Sequence, residues 1–295
     1  MKKRNILTIA ALTAAFAAQA AQIVELDARI GSSISTNASG TVTNWVNQIG
    51  GGAQYNATYT DGVVPYPTYP SSYTTVSGRE AVDFGSFTDG KMTIATDVES
   101  EAFLNFTGAA SNNTGFAVII AFHDEGSADD SDWADLIGND SSASRPGFWI
   151  RYNDNSGDLV VKTGTDNSTT VASGFVTDGE SVAIGLTYNS TGSWTAVWTS
   201  SSSKTNSTET GSAPVDGNFV NNRGNGVELG YNQNGGREFM GLIGQVKIYD
   251  EALDQSSLET LVSELFTTWV DSSQNPNILP PAGLTANPSL ESVIL

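Results

Sequence analysis

Residues 147 to 163 read Gly-Phe-Trp-Ile-Arg-Tyr-Asn-Asp-Asn-Ser-Gly-Asp-Leu-Val-Val-Lys-Thr. Two runs of aromatic, aliphatic and β-branched residues flank Asn153-Asp154-Asn155-Ser156-Gly157, residue types that accept tight backbone turns. The stretch therefore predicts an antiparallel hairpin. In its first strand Phe148, Ile150 and Tyr152 share one face, and Trp149 and Arg151 share the other. The same grammar recurs on both sides. Val182 to Tyr188 and Trp194 to Thr199 flank Asn189-Ser190-Thr191-Gly192, and Val227 to Tyr231 with Phe239 to Tyr249 form a third predicted pair. Phe116 to Phe122 reads Phe-Ala-Val-Ile-Ile-Ala-Phe, apolar on both faces, which predicts a central strand. Such a meander predicts an all-β fold of two antiparallel sheets, a sandwich or a jelly roll.

One internal segment has helical period. Leu258, Leu261, Val262, Leu265, Phe266 and Trp269 recur at three- and four-residue spacing behind Asp254, the predicted cap. This stripe is expected to bury against the edge of the sandwich. From Asp271 the chain turns to Ser, Asn and Pro, so residues 272–295 read as a tail. At the other end, Lys2, Lys3 and Arg4 precede the apolar run Ile6 to Ala18, and Ala18-Gln19-Ala20 has the small-x-small form of a cleavage site. Residues 1–20 are thus expected to be a removable signal peptide cleaved near Ala20, leaving a jelly-roll domain over 21–271 that is secreted or periplasmic. The apolar run falls short of the roughly 20 residues that span a bilayer, so no membrane insertion is expected.

The 295 residues include 13 basic and 32 acidic ones, a formal charge of −19. A nucleic-acid partner needs a dominant basic face, and this balance cannot supply one. With no cysteine there is no disulfide framework. Charged residues are only 15% of the chain, so Ser, Thr, Asn and Gly must cover most of the surface.

Phe239-Met240-Gly241-Leu242-Ile243-Gly244-Gln245-Val246-Lys247-Ile248-Tyr249-Asp250-Glu251-Ala252-Leu253 resembles the terminal strand of bacterial laminin-G-like, concanavalin A-like jelly-roll domains, which a helix ending near a Trp follows. Gly40 to Gln48, with Trp45 ahead of Asn47-Gln48 and then Gly50, Gly51 and Gly52, is similar to that family's first strand region. Gly78 to Gly85 is similar to its G-x-x-A-V-x-F-D-G strand. The three blocks keep the family's order and cover roughly residues 23 to 270. The resemblance implies the fold; lectins, adhesins, enzyme-attached modules and enzymes all use it. Gln245 departs from the acidic residue usual before the last strand.

Catalytic signatures are sparse. Jelly-roll glucanases carry three acids on one strand, and Glu25-Leu26-Asp27-Ala28-Arg29-Ile30 lacks the third. That segment reads instead as an edge strand with solvated charges. His123 is the sole histidine and no G-x-S-x-G elbow occurs; His123 reads as structural, with Tyr152 as its one conceivable partner for lyase chemistry. Residues Asp124 to Asp135 hold six carboxylates in twelve residues. Hard oxygen donors of this kind suit Ca²⁺, with Asp124, Asp129, Asp132 and Asp135 as the expected ligands. Laminin-G-like members often bind calcium at a sandwich rim, so the resemblance makes that reading relevant. A merely solvated acidic loop is the alternative.

Sugar recognition needs an aromatic plane flanked by hydrogen-bonding side chains. Trp133, Trp149, Arg151, Tyr231, Asn232 and Arg237 are the candidates; for the tryptophans, core packing is the competing role. The expectation is a non-catalytic module that recognises a polysaccharide or cell-surface glycan. A polysaccharide-cleaving enzyme of the same fold, a glycoside hydrolase or lyase, is the alternative, and a structural surface or matrix component is the third.

Overall fold

The computed structural model describes residues 20–50, 53–59, 67–68, 80–85, 91–94, 104, 115–126, 133–139, 147–163, 168–212, 226–230 and 238–270. Alternating apolar segments build two antiparallel sheets. The first has seven strands, with β1 (Gln22–Asp27), β16 (Gly241–Tyr249), β7 (Gly115–Asp124), β12 (Ser181–Asn189), β13 (Ser193–Ser200) and β14 (Ser207–Ser212) in that order, and β5 (Val82–Asp83) also on β16. The second has nine, ordered β11 (Ser168–Ala172), β10 (Leu159–Thr163), β9 (Phe148–Asn153), β8 (Trp133–Gly138), β15 (Val227–Leu229), β6 (Met92–Ile94), β4 (Ala57–Thr58), β3 (Val42–Trp45) and β2 (Ile34–Thr36). The expected two-sheet sandwich is the architecture observed.

Inward residues of both sheets meet in one core. Phe116 on β7 lies 4.9 Å, centroid to centroid, from Phe148 on β9, and Phe122 stacks at 5.8 Å on Tyr152. The strand apolar on both faces, β7, sits between β16 and β12 as its composition requires, since a sheet covered on both sides has no wet face. The hairpins over 147–163 and 182–199 form as predicted, with Trp149 opposite Lys162 and Ile184 opposite Trp198.

The third predicted pair does not form. β15 lies between β8 and β6 in the nine-stranded sheet, whereas β16 lies between β1 and β7 in the other. Gly230, at φ +75°, turns the chain out of β15, and a Cβ there would fall 2.2 Å from the Phe84 ring. The short apolar spacing of Val227 and Leu229 suits either sheet, so periodicity alone could not assign its partner.

The helix α1 (Gln255–Leu265) starts where expected: the Asp254 carboxylate accepts the Ser257 N–H at 2.7 Å. It ends in a single π-helical turn, Phe266–Val270. Leu258, Val262 and Leu265 are buried, each worth roughly 1.5–3 kcal/mol relative to exposure. They cover the outer face of the seven-stranded sheet across β12, β13 and β7 rather than its edge, correcting the sequence expectation. Gly185 on β12 makes this close approach possible, because a Cβ there would sit 2.7 Å from Leu258 Cδ1.

β1 is an edge strand as expected, but its charges are not all solvated. Asp27 is buried, and its carboxylate is paired with the Arg29 guanidinium. No helix among the described residues is long and apolar enough to cross a membrane.

Candidate functional site

Strand register sets the site. Directly opposed residues on neighbouring strands project to the same face. On the nine-stranded sheet Thr93 opposes Glu228, Glu228 opposes Gly138, Gly138 opposes Trp149, and Trp149 opposes Lys162. One step along, Asp135 opposes Arg151, which opposes Val160. Their neighbours Ala134, Ile150, Tyr152, Leu159 and Val161 belong to the core, so these rows occupy the outer face. A bulge between Asp135 and Ile137 lets both Asp135 and Gly138 face outward despite their odd spacing.

On this face the Arg151 guanidinium carbon lies 3.4 Å from the Trp149 ring centroid and 4.8 Å from that of Trp133. Its Nη1 is 3.7 Å from Asp135 Oδ1. Lys91 Nζ is 4.0 Å from Glu228 Oε1. Trp149 is only 1% exposed and Arg151 8%, while Trp133 is half-buried. Burial pushes the Glu228 carboxyl up to about 7; Lys91 pulls it down and Asp135 adds to the rise. Lys162 is buried in the same row. The indole Nε1 of Trp149 is buried and, among the described residues, donates to no hydrogen-bond acceptor.

Trp133, Trp149 and Arg151, expected from the sequence to contact ligand, are therefore brought together. Neither tryptophan is drawn into the inter-sheet core. Asp135, expected as a calcium ligand, joins them as the partner of Arg151. Asp124 lies on the other side of the nine-stranded sheet: Tyr152, projecting inward, donates its hydroxyl to Asp124 Oδ1 at 2.6 Å. Burial raises the Asp124 carboxyl above its ordinary range. One cation cannot be shared by Asp124 and Asp135 across the sheet. Among the described residues no group of three or more His, Asp or Glu gathers to hold an ion. Asp129, Asp132, Tyr231, Asn232 and Arg237 lie outside the described residues.

His123 and Tyr152 are not partners. His123 Nδ1 lies 2.8 Å from Ser181 Oγ, and Ser181 opposes it on β12. Burial pushes the imidazole down to about 4, with Glu180 opposing, so it is neutral near pH 7.

Sequence reasoning missed Lys91, Lys162 and Glu228. Lys162 was within reach, because hairpin register places it opposite Trp149. Glu228, between two apolar residues, reads as a solvent-facing strand position. Its burial depends on strand order, which no local pattern encodes.

No protein family and no curated protein matches the sequence. Among solved structures, the chain is similar to the carbohydrate-binding domain CBM40 of the Ruminococcus gnavus IT-sialidase, at 12% identity and a TM-score of 0.45, over 62% of this chain and 97% of that one. It is similar to a leech intramolecular trans-sialidase at 17% identity and a TM-score of 0.43, over 62% of this chain and 27% of that one. It is also similar to the binding domain of botulinum neurotoxin DC, in complex with rat synaptotagmin II, at 12% identity and a TM-score of 0.48, over 83% of this chain and 51% of that one. The chain thus spans about half the length of the neurotoxin chain and about a quarter of the leech enzyme. Likeness at this level assigns no ligand to this chain.

Proposed function

We propose that this protein is an exported recognition module that binds carbohydrate on the outer face of its nine-stranded sheet, in the manner of laminin-G-like jelly rolls. The observation that supports it is Arg151 packed against the Trp149 and Trp133 rings with Asp135 beside it, and the Lys91–Glu228 pair on the same face. A half-buried aromatic plane beside several fixed hydrogen-bonding groups is the composition that orients a sugar. Export rests on the leader read over residues 1–20. If the acidic loop holds calcium, the ion draws on Asp129 and Asp132 with one of Asp124 and Asp135, not both, and a chelator then lowers the melting temperature.

The test is retention on a panel of immobilised plant, marine and microbial polysaccharides. At least one should retain the protein, and Trp133→Ala should weaken retention tenfold or more while circular dichroism stays unchanged. Retention of the variant equal to the parent's contradicts the proposed face.

A second reading has one observation in its favour. Glu228 keeps its proton up to about pH 7 and lies diagonally from Asp135 on a neighbouring strand, an arrangement suited to acid-assisted glycoside cleavage. New reducing ends from any polysaccharide of the panel, abolished by Glu228→Gln, would establish that reading.

A further inference from the structure

Basic side chains among the described residues gather on the outer face of the nine-stranded sheet. Among the described residues the basic side chains are Arg29, Lys91, Arg151, Lys162, Lys204 and Lys247. Lys91, Arg151 and Lys162 share this one face, alternating with or opposing Thr93, Asp135 and Trp149. The whole chain carries −19, so such a gathering runs against the overall charge.

Trp149 is not an open platform. A neutral pyranose is held by laying its apolar face on an exposed ring. Trp149 is 1% exposed, and the Arg151 guanidinium occupies one of its faces at 3.4 Å. The same guanidinium lies 4.8 Å from the Trp133 ring. The rings therefore fix the plane of a cation. Next to that cation, Trp149 Nε1 is a buried donor with no acceptor among the described residues. A buried N–H left without an acceptor is destabilising, and an oxygen supplied from outside would remove that penalty. Gly138, partly exposed and opposed to both Glu228 and Trp149, lets Trp149 pack directly onto the β8 backbone, where a Cβ would lie 2.6 Å from Trp149 Cβ. Burial also favours the protonated form of Glu228, which lowers the negative charge on the face near neutrality.

We infer that the carbohydrate recognised here is anionic, its oxyanion group meeting Arg151 and Lys91 and accepting the Trp149 indole N–H. The inference rests on the carbohydrate-recognition reading and narrows it to one ligand class, a saccharide bearing carboxylate or sulfate. Bulk attraction cannot imitate it, because a chain of this net charge repels polyanions.

The probes are oligogalacturonate and its fully methyl-esterified form, which share a backbone and differ in charge, with dextran sulfate and dextran as the second pair. Binding is read by titration calorimetry on the mature chain. An oxyanion-bearing probe should bind at least tenfold tighter than its neutral counterpart, and whichever pair shows the difference identifies carboxylate or sulfate as the group. Trp149→Phe keeps an aromatic ring and removes the N–H, and Lys91→Gln alters a partly exposed residue; each should weaken the anionic probe about fivefold and leave folding intact by circular dichroism. Tighter binding of a neutral probe overturns the inference and leaves carbohydrate recognition standing. Anionic binding that neither substitution weakens overturns it by placing the ligand elsewhere. No binding of any probe overturns the anionic assignment, and the recognition reading then stands or falls on the wider polysaccharide panel.

Discussion

The indole Nε1 of Trp269 donates to Gln245 Oε1 at 3.1 Å, and Gln245 Nε2 donates in turn to Glu25 Oε1 at 3.0 Å. The last turn of the chain's helical segment is thereby tied through β16 to the first strand. Arg29 adds to the same corner, 5.7 Å from the Trp269 ring centroid. Only a side chain that both donates and accepts can bridge these partners, which gives a physical reason for an amide where the resembled family places an acid. Gln245→Glu should therefore destabilise the protein by about 2 kcal/mol at neutral pH, since it sets two carboxylates together and loses the donor. Thermal unfolding at pH 7 and pH 4.5 checks it: the loss should shrink at the lower pH. An unchanged melting temperature at pH 7 contradicts the bridge.

Gly244 is the floor under Trp269. A Cβ at that position would lie 2.4 Å from the indole ring, and a ring cannot yield as the tip of a flexible side chain can. Gly244→Ala is expected to cost about 1–3 kcal/mol by overpacking. Near-ultraviolet circular dichroism should report a moved indole. An alanine variant with parental stability would show that the ring does not rest there.

Two buried groups give the stability curve opposite slopes. Glu228, raised to about 7, contributes stability that is complete below its unfolded value and lost as pH rises through 7. His123, lowered to about 4, contributes stability that is complete above its unfolded value and lost as pH falls through 4. Each amounts to roughly 3 kcal/mol, so between about pH 4.5 and 6.5 they nearly cancel. Relative to the parent, Glu228→Gln should lose stability steeply on acidification across that window, and His123→Gln should gain it. Denaturant unfolding at a series of pH values decides this. Identical pH profiles for parent and variants would contradict it.

Asp135 and Arg151 face each other across β8 and β9, both buried. Removing one member of a buried ion pair leaves the other charge uncompensated, at a cost of about 3–5 kcal/mol. Asp135→Ala and Arg151→Ala should each be strongly destabilising, and the double variant much less so than their sum. A strictly additive double variant would show that the pair is not coupled.

Much of the fold was legible because it is written locally. The turn cluster Asn153 to Gly157 and the alternation on either side set the hairpin and its two faces, and Asp254 marked the helix start. Hidden features depend on non-local register. Continued alternation from Asp135 would place Ile137 on the outer face, yet the bulge sends Ile137 inward and Gly138 outward. Glu228 joined the site because β15 pairs with β8 and β6 rather than with β16. Asp124 and Asp135 looked like neighbours in one acidic loop, but they end on opposite sides of a sheet.

The central claim is that ligand meets the outer face of the nine-stranded sheet. Hydrogen–deuterium exchange of the protein, alone and saturated with the glycan of the panel that retains it best, measures this directly. Protection should concentrate in residues 133–138, 148–153 and 227–229, with 255–270 unchanged. Protection confined to the helical segment, or none anywhere in the nine-stranded sheet, would contradict it.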